Sequence, residues 1–302
     1  MSRSYAFLIG SLAAIWGASY LFIKVAVRDF PPAAMMEVRL ALSGVILAGF
    51  VVFRSGRRQA VADLRGTGWQ AFAVGIVNGA IPFTLIAWGE RHIDSGVAAV
   101  ANATVPIFNA LLVPRLLPQE RVGGVRLFGV LLGLVGVGVL TFGQPHVSWW
   151  FVAGTMAVVL ASLSYALGGI WAQHTLASTR GPTLAAAAML GGAAALLPVA
   201  LFSLPDHIPG WKPVGSVLAL TLAGTVLAQL ILYRAIRLHG SARTSLVTYL
   251  MPPTAILYGI VLLDESLTVG SVGGLALILA GVALGSGAVR LARRAAAPTT
   301  AP

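Results

Sequence analysis

Residues 5–27 read YAFLIGSLAAIWGASYLFIKVAV, a stretch in which Lys24 is the one charged residue. A helix needs about 20 apolar residues to cross roughly 30 Å of hydrocarbon, so this stretch is long enough to span a bilayer. It is rich in Leu, Ala and Gly and lacks the alternation of apolar and polar residues that a half-buried strand would show. The stretch therefore predicts a membrane-spanning α-helix.

Further stretches along the chain have the same character. They lie near residues 33–53, 70–89, 95–117, 124–143, 149–173, 182–204, 214–236, 242–263 and 269–289. Turn-forming residues separate them, as in Asp29-Phe30-Pro31-Pro32 and Arg54-Ser55-Gly56-Arg57-Arg58. No connector is long enough for a soluble domain. The sequence therefore predicts an all-α membrane protein with ten transmembrane helices.

The composition agrees with a membrane protein. The 302 residues are 58% hydrophobic and 10% charged, whereas a soluble domain is about 25% charged. The absence of cysteine excludes disulfides and thiolate metal sites. A net charge of +11 would point to nucleic acid in a soluble protein. Here the basic residues lie between apolar stretches, so we expect lipid rather than nucleic acid as the partner.

Lys and Arg in the connectors predict the orientation. With ten helices, fifteen of these residues fall on one side of the membrane and four on the other, while Arg39 lies within a span. Basic residues concentrate in the cytoplasmic loops of membrane proteins. We therefore expect a multi-pass protein of the plasma (inner) membrane with both termini in the cytoplasm.

The two halves of the chain, residues 1–146 and 147–302, resemble each other at an offset of about 145 residues. The matched pairs are Arg91 with Arg237, Ser95 with Ser241, Asn102 with Thr248, and Pro106 with Pro252. Five helices per half is an odd number, so the second half would enter the membrane from the opposite side. Such inverted five-helix repeats are typical of secondary transporters, whose binding site lies near the midplane between the repeats.

The sequence also resembles a known family, the EamA type of the drug/metabolite transporter superfamily. The resemblance rests on residues 16–24 (WGASYLFIK), on Arg39, and on Ser95-Gly96-Val97-Ala98 leading to Pro106 and Glu120. It is repeated from Ser241 through Pro252 to Asp264-Glu265. The resemblance implies transport of small metabolites, often the export of amino acids and related compounds, and leaves the substrate unspecified.

Polar and aromatic residues within the spans are the candidate substrate-binding groups. Polar side chains are costly in lipid, so they face the interior of a helix bundle, and residues at i and i+4 share a helix face. Amide and hydroxyl groups could replace the hydration water of a zwitterionic solute, and aromatic walls could bury its apolar part. The alternative is hydrogen bonding between helices. The candidates are Trp16, Ser19, Tyr20, Asn78, Trp88, Asn102, Tyr165, Gln229, Tyr233, Thr248 and Tyr249.

Prolines and charges within the spans suggest further roles. Pro106 and Pro252 remove backbone hydrogen bonds and could act as matched hinges for alternating access, or could be static kinks. Lys24, Glu37 and Arg39 could form a charge gate or bind a carboxylate. The alternative is that Lys24 reaches the interface and that Glu37 and Arg39 pair with neighbours. Glu120 and Glu265 lie at helix ends, where we expect them to cap or pair.

The sequence favours a transporter without a cofactor, and not an enzyme. It has no phosphate-binding loop, and no metal-site or serine-nucleophile motif. Two alternatives stay open. A membrane enzyme acting on a lipid-linked substrate could use Glu90, His92 and Asp94, and a passive channel or scaffold would need none of these groups. Proton coupling through Glu37 and facilitated exchange are both open. The glycine-rich fifth and tenth spans could be a scaffold or a homodimer face.

Overall fold

The computed structural model describes residues 3–116, 124–240 and 244–285, and within these ranges the chain forms helices and no strand. The helices are α1 (Arg3–Ala26), α2 (Pro32–Ser55), α3 (Arg57–Gly66), α4 (Gly68–Gly89), α5 (Ser95–Asn102), α6 (Val105–Leu116), α7 (Gly124–Phe142), α8 (Trp149–Thr175), α9 (Gly181–Leu201), α10 (Trp211–His239), α11 (Val247–Leu263) and α12 (Val269–Gly285). Glu120 and Ser241 lie outside the described residues.

The helices are long and apolar enough for a multi-pass membrane protein. Among the described residues, seven helical stretches have the length and composition of membrane spans, and three shorter apolar helices accompany them in α7, α11 and α12. The all-helical membrane fold is therefore confirmed. The count of ten spans stays a prediction.

Contacts between connectors show which helix ends meet. The Asp29 carboxylate accepts a hydrogen bond from the Gly210 amide at 2.7 Å, and Glu265 accepts one from the Ser95 amide at 2.8 Å. These contacts bring the connectors after α1, α4, α9 and α11 together, at what we call the Glu90 end. At the opposite end, which we call the arginine end, Arg180 lies 3.8 Å from Asp63 of α3.

Glycine-rich surfaces let α7 and α12 pack directly against each other. A Cβ at Gly281 would lie 2.6 Å from the Gly133 nitrogen, and a Cβ at Gly136 would lie 2.8 Å from the Ile278 nitrogen. Close approach of this kind is what small residues allow between membrane helices. The glycines of the fifth and tenth predicted spans are therefore used within one chain, which favours their role as a scaffold.

Two features of the helices depart from the sequence prediction. A basic helix, α3, follows Gly56, where we expected only a connector; its Arg, Gln, Ala and Leu residues are good helix formers. Two π-helical segments interrupt α4 at Ile76–Ala80 and α10 at Leu220–Leu227. The distance between the two segments along the chain nearly equals the offset of the sequence repeat. π-Helical segments are frequent at functional sites.

The two matched prolines have different surroundings. Pro106 is the second residue of α6, directly after a break in the helix at Ala103 and Thr104. Pro252 lies inside α11, which continues through it. The sequence match between the two prolines is therefore not a match of local backbone structure, and their hinge role stays a prediction.

Candidate substrate cavity

A cavity of about 320 Å³ lies among α1, α2, α4, α5, α8, α10 and α11. This volume is within the range of small-molecule sites. The candidates from the sequence that line it are Trp16, Ser19, Tyr20, Asn78, Asn102, Tyr165, Gln229 and Thr248, together with Arg39 and Pro252. Residues from both halves of the chain therefore meet around one space. That they bind substrate stays a prediction.

Three of the binding candidates lie elsewhere. Trp88 packs near the Glu90 end, with its ring 4.8 Å from that of His92. Trp88 is ten residues beyond Asn78, which is about 15 Å further along α4, so it lies past the cavity. Tyr233 is one turn beyond Gln229 and lines a second cavity at the arginine end, and Tyr249 packs against the hydrophobic core.

Asn102 links three helices at the cavity wall. Its Nδ2 donates to the Tyr20 hydroxyl at 2.8 Å, and its Oδ1 accepts from the Ser162 hydroxyl at 3.0 Å. The sequence analysis did not identify Ser162 as a partner of Asn102. Because both ends of the amide are used, Asn102 fixes the position of the Tyr20 hydroxyl in the cavity.

Replacement of Asn102 by Ala is expected to lower the free energy of unfolding by about 1–2 kcal/mol, because it removes two hydrogen bonds between helices. Thermal unfolding in detergent measures this change. Thr248→Ala is the control, since within the described residues the Thr248 hydroxyl donates to the nearby Ser245 carbonyl and not to another helix. Equal melting temperatures for the two variants would contradict the linking role of Asn102.

Arg39 places a positive charge in the cavity wall. Its side chain is buried, its Nε donates to the Thr225 hydroxyl at 2.9 Å, and its guanidinium carbon lies 4.0 Å from the centroid of the Phe83 ring. Within the described part of the chain, Arg39 forms no ion pair. Glu37 does not pair with it, because residues two positions apart on a helix do not face each other. Residues 3–116, 124–240 and 244–285 therefore supply no counter-ion to the guanidinium.

Thr225 and Phe83 were missed as neighbours of Arg39. Thr225 lies in the second π-helical segment, where its hydroxyl donates to the Leu220 carbonyl five residues earlier at 3.1 Å. The first π-helical segment lies just before Pro82, whose missing N–H favours such a segment. The second contains no proline, so the sequence carries no comparable signal for it.

The remaining gate candidates lie outside the cavity. The Lys24 ammonium donates to the backbone carbonyls of Glu90 at 2.8 Å and Ile93 at 2.7 Å. It therefore ties α1 to the end of α4 instead of reaching outward. Glu37 is half-buried, and its Oε2 has no hydrogen-bond partner. The gate role of both residues stays a prediction.

Glu265 caps the start of α5, in agreement with the structural role expected for it. Its Oε2 accepts from the Ser95 hydroxyl at 2.9 Å and from the Gly96 amide at 3.2 Å, in addition to the bond from the Ser95 amide. These bonds satisfy amides that a helix start leaves free. The cap joins the connector after α11 to α5 and helps to close the Glu90 end.

The three residues of the enzyme alternative do not form a common cleft. None of them lines either of the two cavities described above. His92 stacks on Trp150 at 5.0 Å between ring centres, and burial, with Arg91 and Lys24, lowers its pKa. Burial and Glu265 raise the pKa of Asp94, which precedes α5. Among the described residues, no group of His, Asp and Glu could hold a metal ion.

Comparisons with known proteins agree with this architecture. Residues 3–142 and again residues 152–287 match the EamA-like transporter family. The chain is 28% identical to the uncharacterized inner membrane transporter YedA of Escherichia coli K12, over 86% of this chain and 84% of that protein. It is 27% identical to a probable terminal-alkyne amino-acid exporter of Streptantibioticus cattleyicolor, over 89% of each. A solved crystal structure superposes with a TM-score of 0.68, over 98% of this chain and 100% of that chain; at 19% identity, it shows the fold alone.

Proposed function

The chain belongs to the EamA-like transporter family, and from this premise we propose that it is a secondary transporter of small polar metabolites. The substrates we infer are amino acids or closely related compounds, moved by alternating access through the central cavity. The similarity to the probable terminal-alkyne amino-acid exporter of Streptantibioticus cattleyicolor supports export as the direction.

The observation that supports the substrate class is the guanidinium of Arg39 in the cavity wall, which has no counter-ion among the residues that the structure describes. A buried charge is costly without a partner, and a guanidinium binds a carboxylate through paired, charge-assisted hydrogen bonds. Gln229 also lines the cavity, and its Oε1 is buried without a hydrogen-bond partner. A solute with a carboxylate at Arg39 and an ammonium near Gln229 would satisfy both groups.

The proposal includes the ten-helix, inverted-repeat architecture. The family matches the chain twice, in segments that correspond to residues 1–146 and 147–302. The two π-helical segments recur at nearly the same offset, and both contribute residues to the cavity. The protein would lie in the inner membrane. Basic residues concentrate on the cytoplasmic side, so the arginine end and both termini would face the cytoplasm.

Counterflow in proteoliposomes tests the proposal. We expect saturable exchange of labelled amino acids that competes with unlabelled amino acids and not with simple amines or sugars. Thr248→Trp should reduce this flux at least about tenfold by filling the cavity that Thr248 lines. Leu250→Trp, on the same helix but exposed, is the matched control and should keep the flux.

Either of two results would overturn the proposed function. One is the absence of exchange for any carboxylate-bearing solute by protein that retains its unfolding transition. The other is flux that rises in proportion to concentration without saturation, which would indicate a channel.

A further inference from the structure

A buried carboxyl group without a hydrogen bond lies at the Glu90 end. The Glu90 side chain has no exposed surface, and neither of its carboxyl oxygens has a hydrogen-bond partner in the described part of the chain. An ionised carboxylate in such a place loses its hydration and gains no hydrogen bond in return, so burial costs more than the nearby cations restore. The group is therefore favoured in its neutral, protonated form as long as this end of the molecule is closed.

Charged and titratable groups from neighbouring elements face Glu90 without neutralising it. The Lys24 ammonium is engaged by the backbone carbonyls of Glu90 and Ile93, and the Glu265 carboxylate is engaged by the cap of α5. Burial raises the pKa of Glu90 well above its usual range; Lys24 lowers it, Glu265 raises it, and Arg39 lowers it. The other titratable groups near this site are Tyr20 of α1 and, on its own connector, Arg91, which donates to the Phe30 carbonyl, His92 and Asp94.

The contacts around Glu90 are those that close this end of the bundle. Lys24 joins α1 to the connector at 90–94, and Glu265 joins the connector after α11 to Ser95 directly beyond it. Opening this end requires the Lys24 bonds to break, and water would then reach the Glu90 carboxyl. Hydration stabilises the ionised form, so opening should lower the proton affinity of Glu90.

We propose that Glu90 is a proton-binding site that is protonated when the Glu90 end is closed and releases its proton when that end opens. Given the transport cycle of the proposed function, on which this inference rests, substrate movement would be coupled to proton movement. The sign follows from linkage. The closed state binds the proton more tightly than the open state does. Proton binding therefore stabilises the closed state fully when the pH is below the Glu90 pKa of the open state. This stabilisation is lost as the pH rises through the higher Glu90 pKa of the closed state.

Thiol labelling tests the proposal without reference to any substrate. The chain contains no cysteine, so Ile93→Cys introduces a single reporter at a buried position of the Glu90 end. Its labelling by a maleimide in detergent reports opening. Val269→Cys, which is exposed in the closed structure, corrects for the reactivity of the thiol at each pH.

We expect the corrected labelling rate of the Ile93→Cys protein to rise with pH from about pH 5 upward, by up to about tenfold per unit within the transition. Addition of Glu90→Gln should keep labelling slow throughout, because a neutral amide favours closure at every pH. Lys24→Met should raise the rate at all pH values and preserve its dependence on pH. Glu37→Gln and Asp94→Asn, the carboxyl controls, should leave the dependence unchanged.

The outcomes separate this proposal from the proposed function. A wild-type rate that does not change with pH, or a dependence that persists in Glu90→Gln and disappears in Glu37→Gln or Asp94→Asn, would overturn the role of Glu90. Amino-acid counterflow without pH-dependent labelling would support the proposed transport function and contradict the proton site at Glu90.

The expected labelling, together with no exchange of any solute in the panel, would support the proton site and overturn the proposed substrate class. If Glu90→Gln lost its unfolding transition, the Lys24→Met result would still decide the role of closure.

Discussion

Replacement of Arg39 by Gln is expected to reduce kcat/KM for carboxylate-bearing solutes by about 100-fold, equivalent to ~3 kcal/mol. The guanidinium is the fixed positive charge of the cavity wall, held by Thr225 and by the face of Phe83. Gln retains polarity and much of the length of the side chain but cannot supply the charge. Counterflow in proteoliposomes measures the effect, with thermal unfolding in detergent to show that the variant is folded.

Two matched variants identify the property of Arg39 that matters. Arg39→Lys keeps the charge and loses the planar fork that binds a carboxylate and stacks on an aromatic ring, so we expect an intermediate loss. Thr225→Val removes the hydrogen bond to Nε and should raise KM with a smaller change in kcat. Wild-type exchange of amino acids by Arg39→Gln would contradict a carboxylate site at this residue.

Comparing carboxylate-bearing solutes with their amide derivatives distinguishes a loss of binding from an indirect effect of the substitution. A general disturbance of α2 would lower the flux of every solute to the same extent. Loss of a specific ion pair would lower the flux of carboxylate-bearing solutes and leave the flux of their amide derivatives unchanged. A uniform loss across both classes would therefore move Arg39 from the binding site to a structural role.

The sequence predicted the helices better than the contacts between them. Lengths of apolar sequence located most of the helices, because the bilayer sets a minimum length for a helix, but the predicted stretch at 95–117 contains two helices, Ser95–Asn102 and Val105–Leu116. The helical period brought Trp16 and Tyr20 to the cavity, since residues four apart share a face. It did not place Trp88, because a shared helix face does not fix the position along the helix, and Trp88 lies about 15 Å beyond Asn78.

Partners distant in the chain were beyond sequence reasoning. Arg39 and Thr225 are 186 residues apart, and Thr225 takes its position from a π-helical segment without proline. Lys24 donates to two backbone carbonyls. Every residue carries such a carbonyl, so the sequence does not indicate which ones Lys24 contacts. Glu90 follows the end of a predicted span, among other charged residues, yet helix packing buries it completely. Each of these contacts depends on how closely two helices approach each other, which a single sequence does not specify.

Replacement of Gly75 by Ala is expected to lower the free energy of unfolding by about 3 kcal/mol, at the upper end of the usual cost of overpacking. Gly75 lies where α4 crosses α9. A Cβ there would overlap the Ala188 carbonyl oxygen and lie 2.5 Å from the Gly192 nitrogen. These are backbone atoms, which cannot move aside as the end of a flexible side chain can. The helices must therefore separate, and thermal unfolding in detergent measures the cost.

Gly49→Ala is the matched control, because a Cβ at Gly49 of α2 would have nothing within 4 Å. Ala is a better helix former than Gly by about 1 kcal/mol, so this variant should melt at the wild-type temperature or above. Gly75 also directly precedes the π-helical segment that holds Asn78 at the cavity, so Gly75→Ala should impair transport as well as stability. An unchanged melting temperature with impaired transport would mean that α4 and α9 part readily and that their close approach belongs to one step of the transport cycle. An unchanged melting temperature with normal transport would contradict the close crossing itself.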